Sequence, residues 1–240
     1  MRSSLWLSVL LGVAGSGCVT GAPVGGRALL AERYQPFARG SAVGVPSPAP
    51  AAAPLALRPG ARQDVVTEAQ RLVGQRRIEV QGKRYGDDCT GLVRAVFEPV
   101  GVNLLQAAEP GDNGVTAMWR FAGRHGRVFH GGRPLPGDLV FFRDTYDLNR
   151  DGSTNDGLTH VGVVEDVEAD GTVIVIHRVA RGVVRYRMNL QAPTQARAAD
   201  GRKLNDWLRT GAPGGKPRLT AELFAGYATI LPVESRFANR

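Results

Sequence analysis

Three features of this 240-residue sequence predict an α+β fold, with N-terminal helices packed on an antiparallel β-sheet. Segments with helical spacing of apolar residues come first, between residues 64 and 125. Segments rich in Val, Ile and Phe follow, between residues 137 and 188. Two of these are separated only by Ala169-Asp170-Gly171, a turn that pairs its flanks antiparallel and leaves no room for a crossover helix.

The elements follow in order. Asp64 is expected to cap a helix carrying Val65, Val66, Ala69, Leu72 and Val73 and ending near Gly74. A short extended piece follows, turning at Gln81-Gly82-Lys83. A second helix is expected over 89–97, with Leu92, Val93, Val96 and Phe97 as its apolar face and Pro99 as its stop. A third is expected around 115–125. The stretch 137–142 (GDLVFF), after a Pro-Leu-Pro-Gly turn, reads as a buried strand. Strands are expected at 160–167 (HVGVVEDV) and 172–177 (TVIVIH), with 183–188 pairing onto the latter. Beyond residue 190, 204–209 and 220–227 read as short helices that complete the domain or cover a groove.

Before the folded part, residues 1–17 have one Arg, an apolar run from 5 to 13 and then small residues, the layout of a secretory signal peptide and too short to span a bilayer. Gly15-Ser16-Gly17-Cys18 resembles a lipobox, although Leu is more usual where Gly15 stands. That resemblance implies lipidation at Cys18, export, and a membrane anchor in the cell envelope facing the periplasm. Residues 18–62 read as a linker rich in Pro, Ala and Gly, with five prolines in 41–60, and the folded domain is expected over 63–235.

Net charge is +8. The basic residues are dispersed, and no aromatic-plus-basic motif points to nucleic acid, so an anionic envelope polymer fits better. Two cysteines exclude a disulfide-rich scaffold. With Cys18 lipidated, Cys89 is the lone free thiol in an oxidising compartment, which favours a chemical role over a packing one.

Cys89 falls at the expected start of the second helix, where backbone N–H groups favour a thiolate. A thiol nucleophile needs a base. His125 and His130 read as loop residues. His160 begins one strand and His177 ends the next across a tight turn, so the hairpin makes them neighbours. His160 then serves as base, with His177 orienting its imidazole. A zinc site built from these three residues is the geometric alternative.

Asp88-Cys89-Thr90-Gly91-Leu92-Val93 resembles the D-C-S-G signature of the NlpC/P60 and CHAP families, which share a papain-like fold. Residues 136–142 (PGDLVFF) and 159–164 (THVGVV) resemble two further family strands, the second carrying the catalytic His, and all stand in family order over roughly 64–188. The resemblance implies a cysteine hydrolase cutting peptide or amide bonds in peptidoglycan, with Cys89 as nucleophile, His160 as base, His177 as orienting residue and the Cys89 N–H in an oxyanion hole. Tyr85 and Asp88 are the neighbours assigned to substrate or oxyanion contacts. Tyr85 stands only four residues before Cys89, closer than the tyrosine of NlpC/P60 enzymes, and His177 stands where CHAP members usually have Glu or Asn. An inactive papain-like binding lipoprotein and a thiol acyltransferase are the alternatives on the same fold. A monomer is expected.

Residues 144–160 (DTYDLNRDGSTNDGLTH) resemble the first half of an EF-hand loop at Asp147, Asn149, Asp151 and Gly152. Leu158 replaces the twelfth-position Glu, and Asp156 is the substitute ligand. A structural Ca²⁺ is one reading, and a polar hairpin loop is the other. The chemistry itself requires no cofactor.

Overall fold

A computed structural model describes residues 55–211 and 216–233. The expected signal peptide, Cys18 and the expected linker up to residue 54 lie outside the described residues. Among the described residues no helix is long and apolar enough to cross a membrane.

Helix α1 spans Ala61–Leu72. It begins three residues before Asp64, with Gly60 as N-cap in the left-handed region and no side-chain cap. The reason lies in Arg62, which is fully buried. Its guanidinium donates to Pro136 O (2.7 Å), Asp138 Oδ1 (2.8 Å), Thr229 Oγ1 (2.9 Å), Leu231 O (2.7 Å) and Pro232 O (3.1 Å). Those bonds hold the helix start against the sheet and satisfy a charge that would otherwise be very costly to bury.

Strands β1 (Glu79–Val80) and β2 (Lys83–Arg84) form a hairpin, with Gln81 and Gly82 both at positive φ in the turn. Helix α2 spans Cys89–Phe97, and α3 spans Gly114–His125. Asn113 caps α3 through Val115 N and Thr116 N, and its amide reaches across to Leu158 O at 2.9 Å.

The main sheet is antiparallel throughout, in the order β3 (Arg127–Phe129), β10 (Phe224–Thr229), β4 (Leu139–Arg143), β5 (Leu158–Val167), β6 (Val173–Val179) and β7 (Gly182–Met188). Alternation along the strands feeds two cores. Leu139, Phe141, Val161, Val163 and Ile176 pack with Leu92, Val93 and Phe121 of the helices. Val140, Phe142, Val164 and Val175 pack with Met188, Leu223 and Tyr227. Each fully buried Leu, Val or Phe contributes about 1.5–3 kcal/mol. This α+β arrangement is consistent with the CHAP and papain-like folds.

The C-terminal region differs from the sequence reading. Within 204–209 lies a strand, β8 (Trp207–Arg209), paired with β9 (Arg218–Leu219). Residues 220–227 form a 3-10 turn at Ala221–Leu223 and then β10. β10 lies between β3 and β4 and is buried on both sides, so it shows no polar face from which a period of two could be read.

Candidate active site

The site forms where β5 and β6 part. Their last paired residues on this side are Val163 and Ile176. Continuing that register sets Gly162 opposite His177. A Cβ on Gly162 would lie 2.6 Å from Val175 Cγ1 and 3.1 Å from His177 Cβ, so only glycine lets His177 stand there. One step diagonally from this point, His160 Nε2 meets His177 Nδ1 at 2.7 Å. The two rings are near perpendicular, with centroids 5.0 Å apart. His160 is 8% exposed and His177 is fully buried. The pairing expected from the hairpin is therefore present in the fold.

Cys89 is the first residue of α2. Asp88 caps the helix, its Oδ1 accepting Gly91 N at 2.7 Å and Thr90 Oγ1 at 2.8 Å. The first turn is pressed against the preceding loop, because a Cβ on Gly91 would lie 1.9 Å from Gly86 O. These two constraints aim the thiol at β5. The backbone N–H groups of Val161, Thr90 and Cys89 itself converge on the sulfur. Val161 is free to do so because of strand phase. Val164 bonds toward Gly137 and Asp138 on the β4 side, so Val161, three residues back, turns its N–H toward β6, where the ladder has already ended. The residue before Val161 is His160.

The electrostatics differ from the sequence expectation. Cys89 keeps part of its surface open. Atoms crowd the sulfur nonetheless, and this burial, the largest influence, pushes the thiol up to about 11. The three N–H groups oppose the shift, and the Asp88 charge adds to it. Burial also draws His160 down to about 4, against the pull of Asp88. His177 falls well below its usual value through burial, then through His160 and Arg181. The resting pair is thus a neutral thiol and neutral imidazoles. The helix end alone does not hold a thiolate.

With Nε2 engaged by His177, His160 has Nδ1 left for proton exchange. His177 Nε2 is buried without a hydrogen-bond partner, and its ring meets Tyr186 edgewise at 4.4 Å.

The remaining assignments separate. Tyr85 is buried, and its hydroxyl is bonded to Glu98. Glu98 follows the last residue of α2, about 13 Å along the axis from Cys89, so Tyr85 does not face the thiol. Closeness in sequence misled here, because the chain doubles back between the two. Asp88 is close, but an ionised carboxylate only accepts hydrogen bonds and cannot serve an oxyanion. Its charge instead favours a protonated His160.

The acidic loop is closed from within. Asp147 accepts Asp151 N and Gly152 N, Asn149 Oδ1 accepts Asp151 N, and Asp156 accepts Leu148 N and Asn149 N. Among the described residues no group of three or more His, Cys, Asp or Glu is arranged to hold a metal. Tyr146 in this loop was not singled out from sequence. Its phenol lies within electrostatic reach of Cys89 and Asp88.

Residues 79–178 match the CHAP domain family. This identifies a domain of the CHAP/NlpC-P60 superfamily within the chain, running from β1 to the residue after His177 and so enclosing Cys89, His160 and His177. Domains of this family are generally cysteine hydrolases that act on cell-wall-related substrates. No curated protein matches the chain.

Proposed function

We propose that the chain is a peptidoglycan hydrolase that cleaves peptide or amide bonds by a Cys-His-His mechanism. The observation that carries this reading is the meeting of the Cys89 thiol with the N–H of Val161, next to a His160 that is bonded at 2.7 Å to His177. The Cys89 proton passes to His160 Nδ1 as sulfur attacks the carbonyl carbon. The two charges form together, each supplying the counter-ion the other lacks. The carbonyl electrons move to oxygen, near the N–H groups at the start of α2. Collapse expels the amine, which takes its proton from His160 and leaves a thioester on Cys89. Water then gives a proton to His160 and attacks the thioester, releasing the acid and restoring the thiol. His177 accepts the Nε2–H of His160 throughout and fixes which nitrogen works.

Around this domain, residues 1–17 serve export, Cys18 carries the lipid and residues 18–62 tether the domain to the membrane within reach of the wall. A Ca²⁺ held by Asp147, Asn149, Asp151 and Asp156 would order the loop before β5, a structural role.

The test is incubation of the full chain carrying Cys18→Ser with purified peptidoglycan, followed by mass spectrometry of the released fragments. The expected result is new fragments whose masses name the bond, and none from the same chain carrying Cys89→Ala. Equal release by both chains, or none by either, removes the hydrolase reading.

A further inference from the structure

Between β4 and β5 the chain makes a loop that turns an aromatic ring outward beside the nucleophile. Tyr146 is 47% exposed and Leu148 is 39% exposed. Scattered surface apolar residues are ordinary. This ring is set apart by how firmly its backbone is held. On one side, Thr145 N donates to Thr159 Oγ1 at 2.9 Å, and the two buried hydroxyls are also 2.9 Å apart. Thr159 precedes His160, so this bond anchors the loop to the base. On the other side, Leu148 N donates to Asp156 Oδ2 at 2.9 Å. The neck of the loop is double-bonded, Asp144 N to Gly157 O and Gly157 N to Asp144 Oδ1, both at 2.8 Å. Arg209, from the separate β8–β9 hairpin, braces it by donating to Asp144 O at 2.7 Å and Thr154 Oγ1 at 2.6 Å. An exposed aromatic whose backbone is fixed on both sides has little backbone entropy to lose on binding a partner.

Its surroundings are those of the nucleophile. The start of α3 abuts the start of α2, where a Cβ on Gly114 would lie 3.0 Å from Thr90 Cγ2. Asn113 ties the same point to Leu158 O, two residues before His160. The phenol lies within electrostatic reach of Cys89, Asp88 and Asp156. Burial first, and then those three groups, raise its pKa, so it remains an O–H donor across the working range.

We propose that Tyr146 is a substrate-contacting residue, its ring flanking the peptide segment bound at Cys89 and its hydroxyl donating a hydrogen bond to that segment. The proposal rests on the hydrolase reading for the identity of the substrate as a peptide. Its test does not depend on turnover.

Full-length chains carrying Cys18→Ser, so that Cys89 is the sole thiol, would be alkylated by two probes. One is iodoacetamide, which reports the thiol alone. The other is N-acetyl-Ala-Ala chloromethyl ketone, which must also seat a peptide. Tyr146→Phe removes only the hydroxyl, and Tyr146→Ala removes the ring. The expected result is iodoacetamide rates within about two-fold of the parent in both variants. The peptidyl probe should slow by about five-fold in Tyr146→Phe, as for one lost hydrogen bond, and further in Tyr146→Ala. Equal peptidyl rates in all three chains overturn the proposal. So does a fall in both probes together, which would make Tyr146 a structural support of the thiol. A chain that leaves peptidoglycan uncut yet shows the Tyr146-dependent difference would retain this contact and lose only the hydrolase reading.

Discussion

His160 and His177 share a 2.7 Å hydrogen bond that consumes one nitrogen of each ring, and the far nitrogen of His177 ends in a buried, unpartnered position. That arrangement sorts the protons. If His160 is to take the thiol proton at Nδ1, its own proton sits on Nε2 and His177 accepts it. His177 must then carry its proton on the buried Nε2, against the Tyr186 ring. Replacing His177 removes the acceptor and frees the His160 ring to turn. His177→Ala should therefore lower kcat by about 10²-fold or more, within the range of general acid–base contributions. His177→Asn, which keeps an acceptor, should recover part of that loss. Steady-state rates on soluble peptidoglycan fragments decide this, and an unchanged kcat in His177→Ala would exclude the orienting role.

The same burial makes the fold sensitive to acid. The His160 pKa falls from the usual 6.5 to about 4 in the folded chain, and His177 shifts in the same direction. Between those values the unfolded chain binds protons that the folded chain refuses. Stability is complete above pH 6.5 and is lost as pH falls through this window, by up to about 3 kcal/mol from His160 alone. Urea denaturation at pH 7 and pH 4.5 measures the loss. The double variant His160→Gln/His177→Gln should show a flatter profile, and parallel profiles would argue that other groups cause the acid sensitivity.

Gly91 is required by contact, since its backbone is pressed against the Gly86 carbonyl. Gly91→Ala must move either the α2 start or the loop before it. A loss of about 1–3 kcal/mol is expected, with slower iodoacetamide alkylation of Cys89 because the thiol is displaced from Val161 N–H. Thermal melting and alkylation rates check both effects, and a variant with parental values in each would mean the loop yields freely.

Arg62 fastens α1 to the turn before β4, to the end of β10 and to the residues after it through five acceptors. Arg62→Ala leaves Asp138 at 2% exposure without its counter-ion, and a loss of about 3–5 kcal/mol follows. Arg62→Met with Asp138→Leu should restore part of it. Chemical denaturation of the three chains provides the comparison, and an Arg62→Ala chain as stable as its parent would contradict the fastening role.

The helix start at Cys89 and the pairing of His160 with His177 were legible in the sequence because each belongs to a local pattern. Cys89 begins a helix with its own cap, and the two histidines bracket a hairpin whose turn is only three residues. Register then does the rest. The strand β10 was not legible, because burial on both faces and its Ala and Gly residues erase the alternation that marks an exposed strand. The positions of Tyr85 and Tyr146 were not legible either, because closeness along the chain is not closeness in the fold. Tyr85 is near Cys89 in sequence but bonds to Glu98 at the far end of α2, while Tyr146 is 57 residues away and comes within electrostatic reach of the thiol. The thiol charge state was not legible either, since a helix start says nothing about how deeply the sulfur is crowded.

In the proposed mechanism His160 is the base that activates an otherwise unreactive Cys89. The pH dependence of Cys89 alkylation by iodoacetamide tests it most directly, in the Cys18→Ser chain with and without His160→Ala. The parent chain should react appreciably near neutral pH. In the His160→Ala chain the rate near neutral pH should fall, and alkylation should need distinctly more alkaline conditions, because burial raises the Cys89 thiol and no imidazole is left to take its proton. Superimposable profiles would contradict it, because the imidazole would then have no part in making the nucleophile.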